Sequence, residues 1–253
     1  MARVTVDAPA PLGNASRWEA LEWESFIAEF DKMWKPGQHI ALVGPTGVGK
    51  TTFAVHLLKL RNYVLALDPK GGDTTLGGLT KHGFVKVSQW PLPKKIEREI
   101  REGKPAKLIV TRAWRTAEDE PKLVALLERA IDGAFEMGGW TLYIDELQLA
   151  ADRRMGKLSA GIERCLIAAR DRGVSVVTSF QRPANVPRTA SDQSTYLAVW
   201  YTRDRDVVHR LSEMMGRERA EVRGAVNALD PHCILVASNN PHDPVLATYV
   251  PKA

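Results

Sequence analysis

The sequence predicts an α/β fold in which a mostly parallel central sheet is flanked by helices. Two observations predict it. Short apolar runs of strand length alternate with longer runs of helical periodicity along most of the 253 residues, and this alternation is typical of a parallel sheet covered on both faces. One strand-to-helix junction also carries the glycine-rich pattern of a phosphate-binding loop.

Each predicted element is short and bounded by turn residues. The strand-like runs are 39–43, 63–67, 84–87, 108–110, 141–144, 174–179 and 196–201. The helical runs are 50–60, 94–102, 120–136, 156–171, 204–215 and 217–228. The tail differs from this alternation, because two strand-like runs, 233–237 and 245–250, flank an Asn- and Pro-rich turn. That pattern predicts a C-terminal β-hairpin.

The first 35 residues are predicted to be an appendage to the main domain. Residues 7–14 contain two prolines and a glycine and predict an extended arm. Residues 16–34 carry large apolar side chains near a helical period, with Ser16 as the candidate N-cap. The chain therefore divides into an N-terminal arm and helix, 1–35, and one α/β domain, 36–253.

Three of the seven tryptophans, Trp18, Trp23 and Trp34, lie in this appendage. Two interpretations of them remain open. They pack on a neighbouring subunit, or they cover the sheet of their own subunit.

Composition excludes two classes of protein. Apolar residues make up 44% of the chain and charged residues 26%, which is the balance of a globular protein and excludes a disordered one. No apolar run approaches the roughly 18 residues that a membrane-spanning helix needs, and the first residues lack the apolar core of a signal peptide. With only Cys165 and Cys233 available, we expect two buried thiols in a cytoplasmic protein.

Positive charge is concentrated in one part of the chain. The 35 Lys and Arg residues outnumber the 30 Asp and Glu residues, for a net charge of +5. Residues 94–115 contain eight basic and only three acidic residues. Such a stretch can follow a phosphate backbone, or it can be the solvated face of a helix.

The strongest motif fits G-x-x-x-x-G-K-[ST] at every fixed position and lies between an apolar strand and a helical run. It consists of Gly44, Pro45, Thr46, Gly47, Val48, Gly49, Lys50 and Thr51, and Thr52 follows it. Backbone N–H groups of such a loop surround the phosphates of ATP, aided by the helix dipole. Lys50 is predicted to reach the β- and γ-phosphates, and Thr51 to place its hydroxyl on Mg²⁺.

A second motif delivers two carboxylates at the end of an apolar strand. Asp145 and Glu146 follow the run 140–144. In a phosphate-loop site the first carboxylate holds Mg²⁺, and the second is placed to polarise the attacking water as a general base. We therefore predict Asp145 as a metal ligand, together with Thr51, and Glu146 as the catalytic base.

Other parts of the sequence argue against some phosphate-loop classes. A GTPase needs an Asn-Lys-x-Asp guanine reader, and the sequence has none. The run 158–161 faintly resembles the signature of ABC transporter ATPases, but it follows the Asp-Glu strand instead of preceding it. We interpret 156–171 as an ordinary amphipathic helix.

Four segments resemble the FtsK–HerA superfamily of DNA-pumping ATPases, over about residues 40–250. Two carry the assignment: Gln181-Arg182-Pro183 at the end of a strand, and Asp68-Pro69-Lys70-Gly71 after an earlier one. Two more agree in order, the arginine-bearing helix end 168–173 and the later strand and helix beginning at Thr202-Arg203-Asp204. The chain departs from the family at Phe180, where relatives often have a small or polar residue.

The resemblance implies a RecA-like (ASCE) P-loop NTPase core that assembles as a homo-oligomeric ring, usually a hexamer, around double-stranded DNA. It implies that Gln181 senses the γ-phosphate, which suits a side chain that both donates and accepts hydrogen bonds. It also implies an arginine that reaches the neighbouring subunit's ATP, for which Arg170 is the best match and Arg172 and Arg188 are alternatives.

Two segments are candidates for contact with DNA. Residues 70–81 are rich in glycine and contain Lys70 and Lys81, and residues 151–157 carry three basic side chains. Flexible glycines and basic side chains suit contact with phosphates without reading of sequence.

Together these observations predict an ATPase motor that uses ATP and Mg²⁺ to translocate double-stranded DNA, most simply in packaging a phage or viral genome. Its partners would be DNA, further copies of itself, and a portal, vertex or membrane protein. It would act in the host cytoplasm, or with the virion if viral. One alternative is a motor for protein export, conjugation coupling or virion extrusion. Another is an assembly module that hydrolyses ATP very slowly, although such a module has no need of Glu146.

Overall fold

The computed structural model describes residues 18–150, 157–240 and 243–252, which form one ten-stranded sheet with helices on both faces. The strands are β1 (Trp18–Ala20), β2 (His39–Val43), β3 (Tyr63–Leu67), β4 (Val85–Val87), β5 (Ala106–Val110), β6 (Thr141–Ile144), β7 (Ser175–Phe180), β8 (Ser194–Val199), β9 (Cys233–Ser238) and β10 (Val245–Tyr249). The helices are α1 (Trp23–Met33), α2 (Lys50–Lys59), α3 (Thr74–Gly77), α4 (Lys94–Arg101), α5 (Asp119–Met137), α6 (Leu147–Ala150), α7 (Lys157–Ala168), α8 (Arg188–Asp192), α9 (Arg205–Met215) and α10 (Arg219–Asn227). The predicted α/β class is confirmed.

The order of strands places β2 near the middle of the sheet. The order is β1-β10-β9-β8-β2-β7-β6-β3-β5-β4. All neighbours from β8 to β4 pair in parallel, whereas β9 runs antiparallel to both β8 and β10. The carboxyl ends of β2, β3, β6 and β7 therefore lie at one edge of the sheet, which is where open α/β sheets bind ligands.

The predicted C-terminal hairpin is confirmed, because β9 and β10 pair antiparallel with Leu246 opposite Val236. The hairpin continues the main sheet through the pairing of β9 with β8. The predicted strands and longer helices agree with the structure within a few residues. The short helices α3, α6 and α8 are too brief to show a periodic pattern and were not predicted.

The predicted N-terminal helix, 16–34, is wrong at its start. Residues 18–20 form β1, which pairs in parallel with β10, and the helix α1 begins only at Trp23. The physical reason is that β10 would otherwise end the sheet with unpaired backbone groups. Leu21 continues the contact, since its N–H donates to the carbonyl of Ala247. The proposed domain boundary at residue 35 stays a prediction.

In the N-terminal segment, Trp34 packs against the sheet of its own chain. Trp34 is buried with Phe26 and Phe30 of α1, and the Phe30 ring meets Tyr196 of β8 edge-on at 5.0 Å. Trp23 is half-buried, 6.2 Å from the ring of Phe53 in α2. The interpretation that they pack within their own subunit is supported for these two.

Side chains of each strand alternate between two apolar layers. Val64 and Ala66 of β3 contribute to the layer under α1 and α2. Leu65 and Leu67 contribute to the layer under α5, α7, α9 and α10. Both cysteines are free and buried, as expected, and burial raises the pKa of Cys165 to about 12. No helix within the described residues is both long enough and apolar enough to cross a membrane.

A buried histidine joins the amino ends of two central strands to a helix. His39 is 3% exposed. Its Nε2 lies 3.1 Å from the carbonyl oxygen of Leu166, and its Nδ1 accepts from the N–H of Val176 at 3.0 Å. This geometry fits the neutral tautomer, in which Nε2 donates and Nδ1 accepts. Burial lowers the pKa of His39 to about 4.

We expect this histidine to make the protein sensitive to mild acid. A histidine whose pKa is lowered on folding stabilises the native state fully above its unfolded pKa, and this contribution is lost as the pH falls below about 6.5 towards 4. Between about pH 7 and about pH 5, the free energy of unfolding should fall by about 2 kcal/mol through His39 alone. Urea unfolding at the two pH values measures the change.

The matched variants are His39→Gln and His209→Gln, since His209 is an exposed residue of α9. The first should reduce the acid-induced loss of stability and the second should leave it intact. An equal pH dependence in the wild type and His39→Gln would contradict the expectation.

Candidate nucleotide-binding site

The glycine-rich loop connects the central strand β2 to α2, as predicted. The loop is tied to the neighbouring strand, because the N–H of Gly44 donates to the carbonyl of Phe180 in β7 at 3.3 Å. Gly47 and Gly49 have φ values of 83° and 104°, a region that favours glycine. The loop thus curls over the amino end of α2, where backbone N–H groups and the helix dipole attract phosphate.

Lys50 folds back over this loop. Its Nζ donates to the carbonyl oxygens of Gly44 and Pro45, both at 2.7 Å. Burial lowers the pKa of Lys50, and the carboxylates of Asp145 and Glu146 offset part of that effect. The ammonium is therefore held inside the loop, where its two carbonyl contacts can be exchanged for phosphate oxygens.

The predicted metal ligands meet across the sheet edge. Thr51 Oγ1 donates to Asp145 Oδ2 at 3.3 Å. Tyr143 lies two residues before Asp145 on β6, and its hydroxyl is buried near both side chains without a hydrogen-bond partner among the described residues. Burial, with the charge of Asp145, raises the pKa of Tyr143 well above its ordinary value. Hydroxyl and carboxylate oxygens are ligands that suit Mg²⁺, so these residues fit the predicted ion.

Glu146 extends into the same cleft from the end of β6. Its backbone has a φ of 49°, in the left-handed region, and its N–H donates to Asp145 Oδ1 at 3.1 Å. A non-glycine residue rarely adopts this conformation outside strained or functional positions. The turn separates the two carboxylates, so that Asp145 faces Thr51 while Glu146 faces the open side of the cleft.

Lys70 was predicted as part of a DNA-contacting segment, and the structure places its side chain in the nucleotide cleft. Its Nζ lies 2.9 Å from Glu146 Oε2 and 3.0 Å from Asp73 Oδ2. Partial burial lowers the pKa of Lys70, but the hydrogen bonds to Glu146 and Asp73 outweigh it and raise the pKa above its ordinary value. Sequence reasoning missed this role, since nothing in the pattern of 70–81 shows which way Lys70 points.

The cleft has a volume of about 360 Å³. Its lining comes from the loop and the start of α2, from the segments that follow β3 and β6, and from the end of β7: Thr46, Gly47, Gly49, Lys50, Thr51, Thr52, Lys70, Asp73, Asp145, Glu146, Phe180 and Gln181. The structure therefore brings Gln181, the predicted γ-phosphate sensor, to the same cavity as the predicted base and metal ligands.

The predicted arginines lie elsewhere. Arg170 is an exposed residue that precedes β7, so it lies at the amino end of a strand whose carboxyl end carries Gln181. Arg172 stacks its guanidinium 4.8 Å from the ring centre of Phe135, and Arg188 lies 3.8 Å from Asp192. None of the three arginines lines the cleft of its own chain.

Part of the second predicted DNA-contacting segment, residues 151–156, lies outside the described residues. In the basic stretch 94–115, the helix α4 has no buried residue. Its ion pairs include Arg98 with Glu102 at 3.7 Å. This agrees with the second interpretation of the stretch, in which its charges lie on the solvated face of a helix.

No protein-family profile matches the sequence, and no curated protein is similar to it. Solved structures are similar in fold. The genome packaging NTPase B204 of Sulfolobus turreted icosahedral virus 2, in complex with AMP, has a TM-score of 0.56 at 20% identity, over 82% of this chain and 95% of its own. VirB4 of Thermoanaerobacter pseudethanolicus has a TM-score of 0.58 at 12% identity, over 85% and 89%.

A third similar structure is the cytoplasmic domain of the type VII secretion ATPase EccC of Thermomonospora curvata. Its TM-score is 0.54 at 17% identity, over 86% of this chain and 26% of its own. The fold and the loop together define the class of P-loop NTPases. The similarity to these structures, at 12–20% identity, confirms the resemblance predicted from the sequence at the level of the fold.

Removing the Lys50 ammonium should weaken nucleotide binding. Lys50→Ala is expected to reduce the affinity for MgATP by about 10- to 100-fold, because a charge-assisted hydrogen bond to phosphate is lost. Titration with a fluorescent ATP analogue measures it. Lys59→Ala, at the exposed end of the same helix, is the matched control and should bind like the wild type. Unchanged affinity in Lys50→Ala would mean that the cleft is not the nucleotide site.

Proposed function

We propose that this protein is an ATPase motor that translocates double-stranded DNA as a homo-oligomeric ring, in packaging a phage or viral genome. The observation that supports it most is the convergence of Lys50, Thr51, Asp145, Glu146 and Gln181 on one cleft. That cleft belongs to a fold shared with a viral genome packaging NTPase.

We assign a task to each group in the cleft. The loop N–H groups and Lys50 bind the phosphates of ATP. Thr51 and Asp145 would hold Mg²⁺, which neutralises phosphate charge when bound. Glu146 accepts a proton from the attacking water. Gln181, at the end of β7, hydrogen-bonds the γ-phosphate and registers its departure.

A ring would complete this site with a residue from the next subunit. Arg170 lies at the other end of β7 from its own cleft, which supports a role on a neighbour's ATP, where a guanidinium stabilises charge in the transition state. Arg172 and Arg188 remain alternatives. We propose DNA, further copies of this chain, and a portal, vertex or membrane protein as partners, in the host cytoplasm or with the virion.

A second candidate function has support in the same comparisons. EccC is a secretion ATPase, and the conjugation coupling protein TcpA of pCW3 has a TM-score of 0.51 at 15% identity. A motor for protein export, conjugation coupling or virion extrusion would use the same cleft. The polymer being moved is what separates the two functions.

Steady-state ATPase activity with and without double-stranded DNA tests the proposal. We expect DNA to stimulate turnover and the stimulation to decline as salt rises, because contacts with phosphate release counterions. Glu146→Gln should lower turnover by about 100-fold or more under all conditions, since the general base is lost.

The matched control is Glu29→Gln, on an exposed position of α1, which should behave like the wild type. Turnover that ignores DNA at low salt would contradict DNA translocation and favour the export motor. Full activity in Glu146→Gln would contradict the catalytic assignment.

A further inference from the structure

A second lysine in the cleft, Lys70, contacts the predicted base directly. Its ammonium lies 2.9 Å from Glu146 Oε2 and 3.0 Å from Asp73 Oδ2. Lys50 cannot take this role in the same conformation, because its own ammonium is bound to the carbonyls of Gly44 and Pro45. Within the described residues, the ion-pair partner of Glu146 is Lys70.

The backbone that carries Lys70 is anchored by a buried carboxylate. Asp68, at the end of β3, is 2% exposed. Its Oδ1 accepts from the N–H groups of Lys70 and Gly71, both at 3.1 Å, and its Oδ2 accepts from those of Gly72 and Asp73 at 2.7 and 3.1 Å. The hydroxyl of Thr111, just after β5, donates to the same oxygen at 2.7 Å. This turn is therefore fixed to two strands of the sheet, and it defines where the Lys70 side chain starts.

The direction of that side chain is set by the second carboxylate. Asp73 is largely covered, with 9% of its side chain exposed, and its Oδ1 also accepts from the N–H of Leu76 at 3.2 Å. Lys70 therefore lies between two carboxylates, the largely covered Asp73 and Glu146, whose side chain is 32% exposed and projects from a turn. The contact with Asp73 holds the ammonium where it meets Glu146.

A general base must present one oxygen to the water that it deprotonates, in a fixed direction. Lys70 occupies Oε2 of Glu146, and no contact within the described residues involves Oε1. Half-exposed ion pairs of this kind contribute little to folding stability, so the contact is better explained by orientation than by stabilisation of the fold.

We propose that Lys70 is the positioning residue for Glu146 in ATP hydrolysis. It fixes the carboxylate through Oε2, and the Asp68 turn transmits the position of β3 and β5 to the base. This inference rests on the proposed ATPase function. It also assigns Lys70 to the chemical step rather than to contact with DNA.

The test compares Lys70→Met and Lys70→Arg in steady-state ATPase assays without DNA. Lys70→Met should lower kcat by about 10-fold or more, because orientation of the base is lost, while KM changes less than about 3-fold. Lys70→Arg, which keeps the cation, should recover part of kcat. Lys122→Met, an exposed lysine 3.9 Å from Asp119, is the matched control and should retain the wild-type rate.

A double-mutant cycle shows whether Lys70 acts through Glu146. In single-turnover assays with excess enzyme, Lys70→Met should reduce the rate of Glu146→Gln no further. A similar reduction in both backgrounds would overturn the proposal. So would a raised KM with unchanged kcat, which indicates a phosphate contact, or a raised kcat, which indicates that Lys70 restrains the base.

Carbodiimide cross-linking gives a readout that does not depend on turnover. An amide bond between Lys70 and Glu146 should form in the wild type and should not form in Lys70→Met. Peptide mass spectrometry detects the cross-linked peptides. Failure to form it would overturn the pairing even in an active enzyme. An inactive wild type that forms the cross-link would instead refute the ATPase function, and with it the catalytic role of Lys70.

Discussion

The site depends on one constraint, which is that the carboxyl ends of parallel strands must lie at the same edge of the sheet. The loops after β2, β3, β6 and β7 all leave from this edge, although more than a hundred residues separate the first from the last. Each loop contributes at least one charged or polar group, and these include Lys50, Lys70, Glu146 and Gln181. The order and direction of the strands therefore determine where the cleft lies, and the side chains determine its chemistry.

Two contacts convert this edge into a defined pocket. The hydrogen bond from Gly44 to Phe180 joins the phosphate loop to the strand that carries Gln181. The hydrogen bond from Thr51 to Asp145 joins the start of α2 to the end of β6. One contact joins the loop after β2 to β7, and the other joins α2 to the end of β6, so displacement of one of these elements would displace its partner.

The sequence identified local motifs whose residues the structure brings into one cleft, but it predicted contacts between distant residues less well. The loop from Gly44 to Thr51 and the pair Asp145-Glu146 could be identified because their residue types and spacing are tied to flanking strand and helix patterns. The start of the N-terminal helix was wrong because helical periodicity in 16–34 competes with the open edge of β10, which lies more than two hundred residues away. The position of Lys70 could not be predicted either, since it depends on Asp68 bonding four successive N–H groups. An aspartate three residues before Gly-Gly was the available signal for that turn.

The pairing of β1 with β10 has a consequence for the order in which the protein folds during translation. Trp18 is synthesised more than two hundred residues before its backbone partner Val245. The antiparallel extension of the sheet, in which β9 joins β8, also waits for the C-terminal part of the chain. The strands around the nucleotide cleft are all synthesised before these, so the core can collapse during translation while its outer edge closes last. Contacts of such sequence separation make that closing step slow.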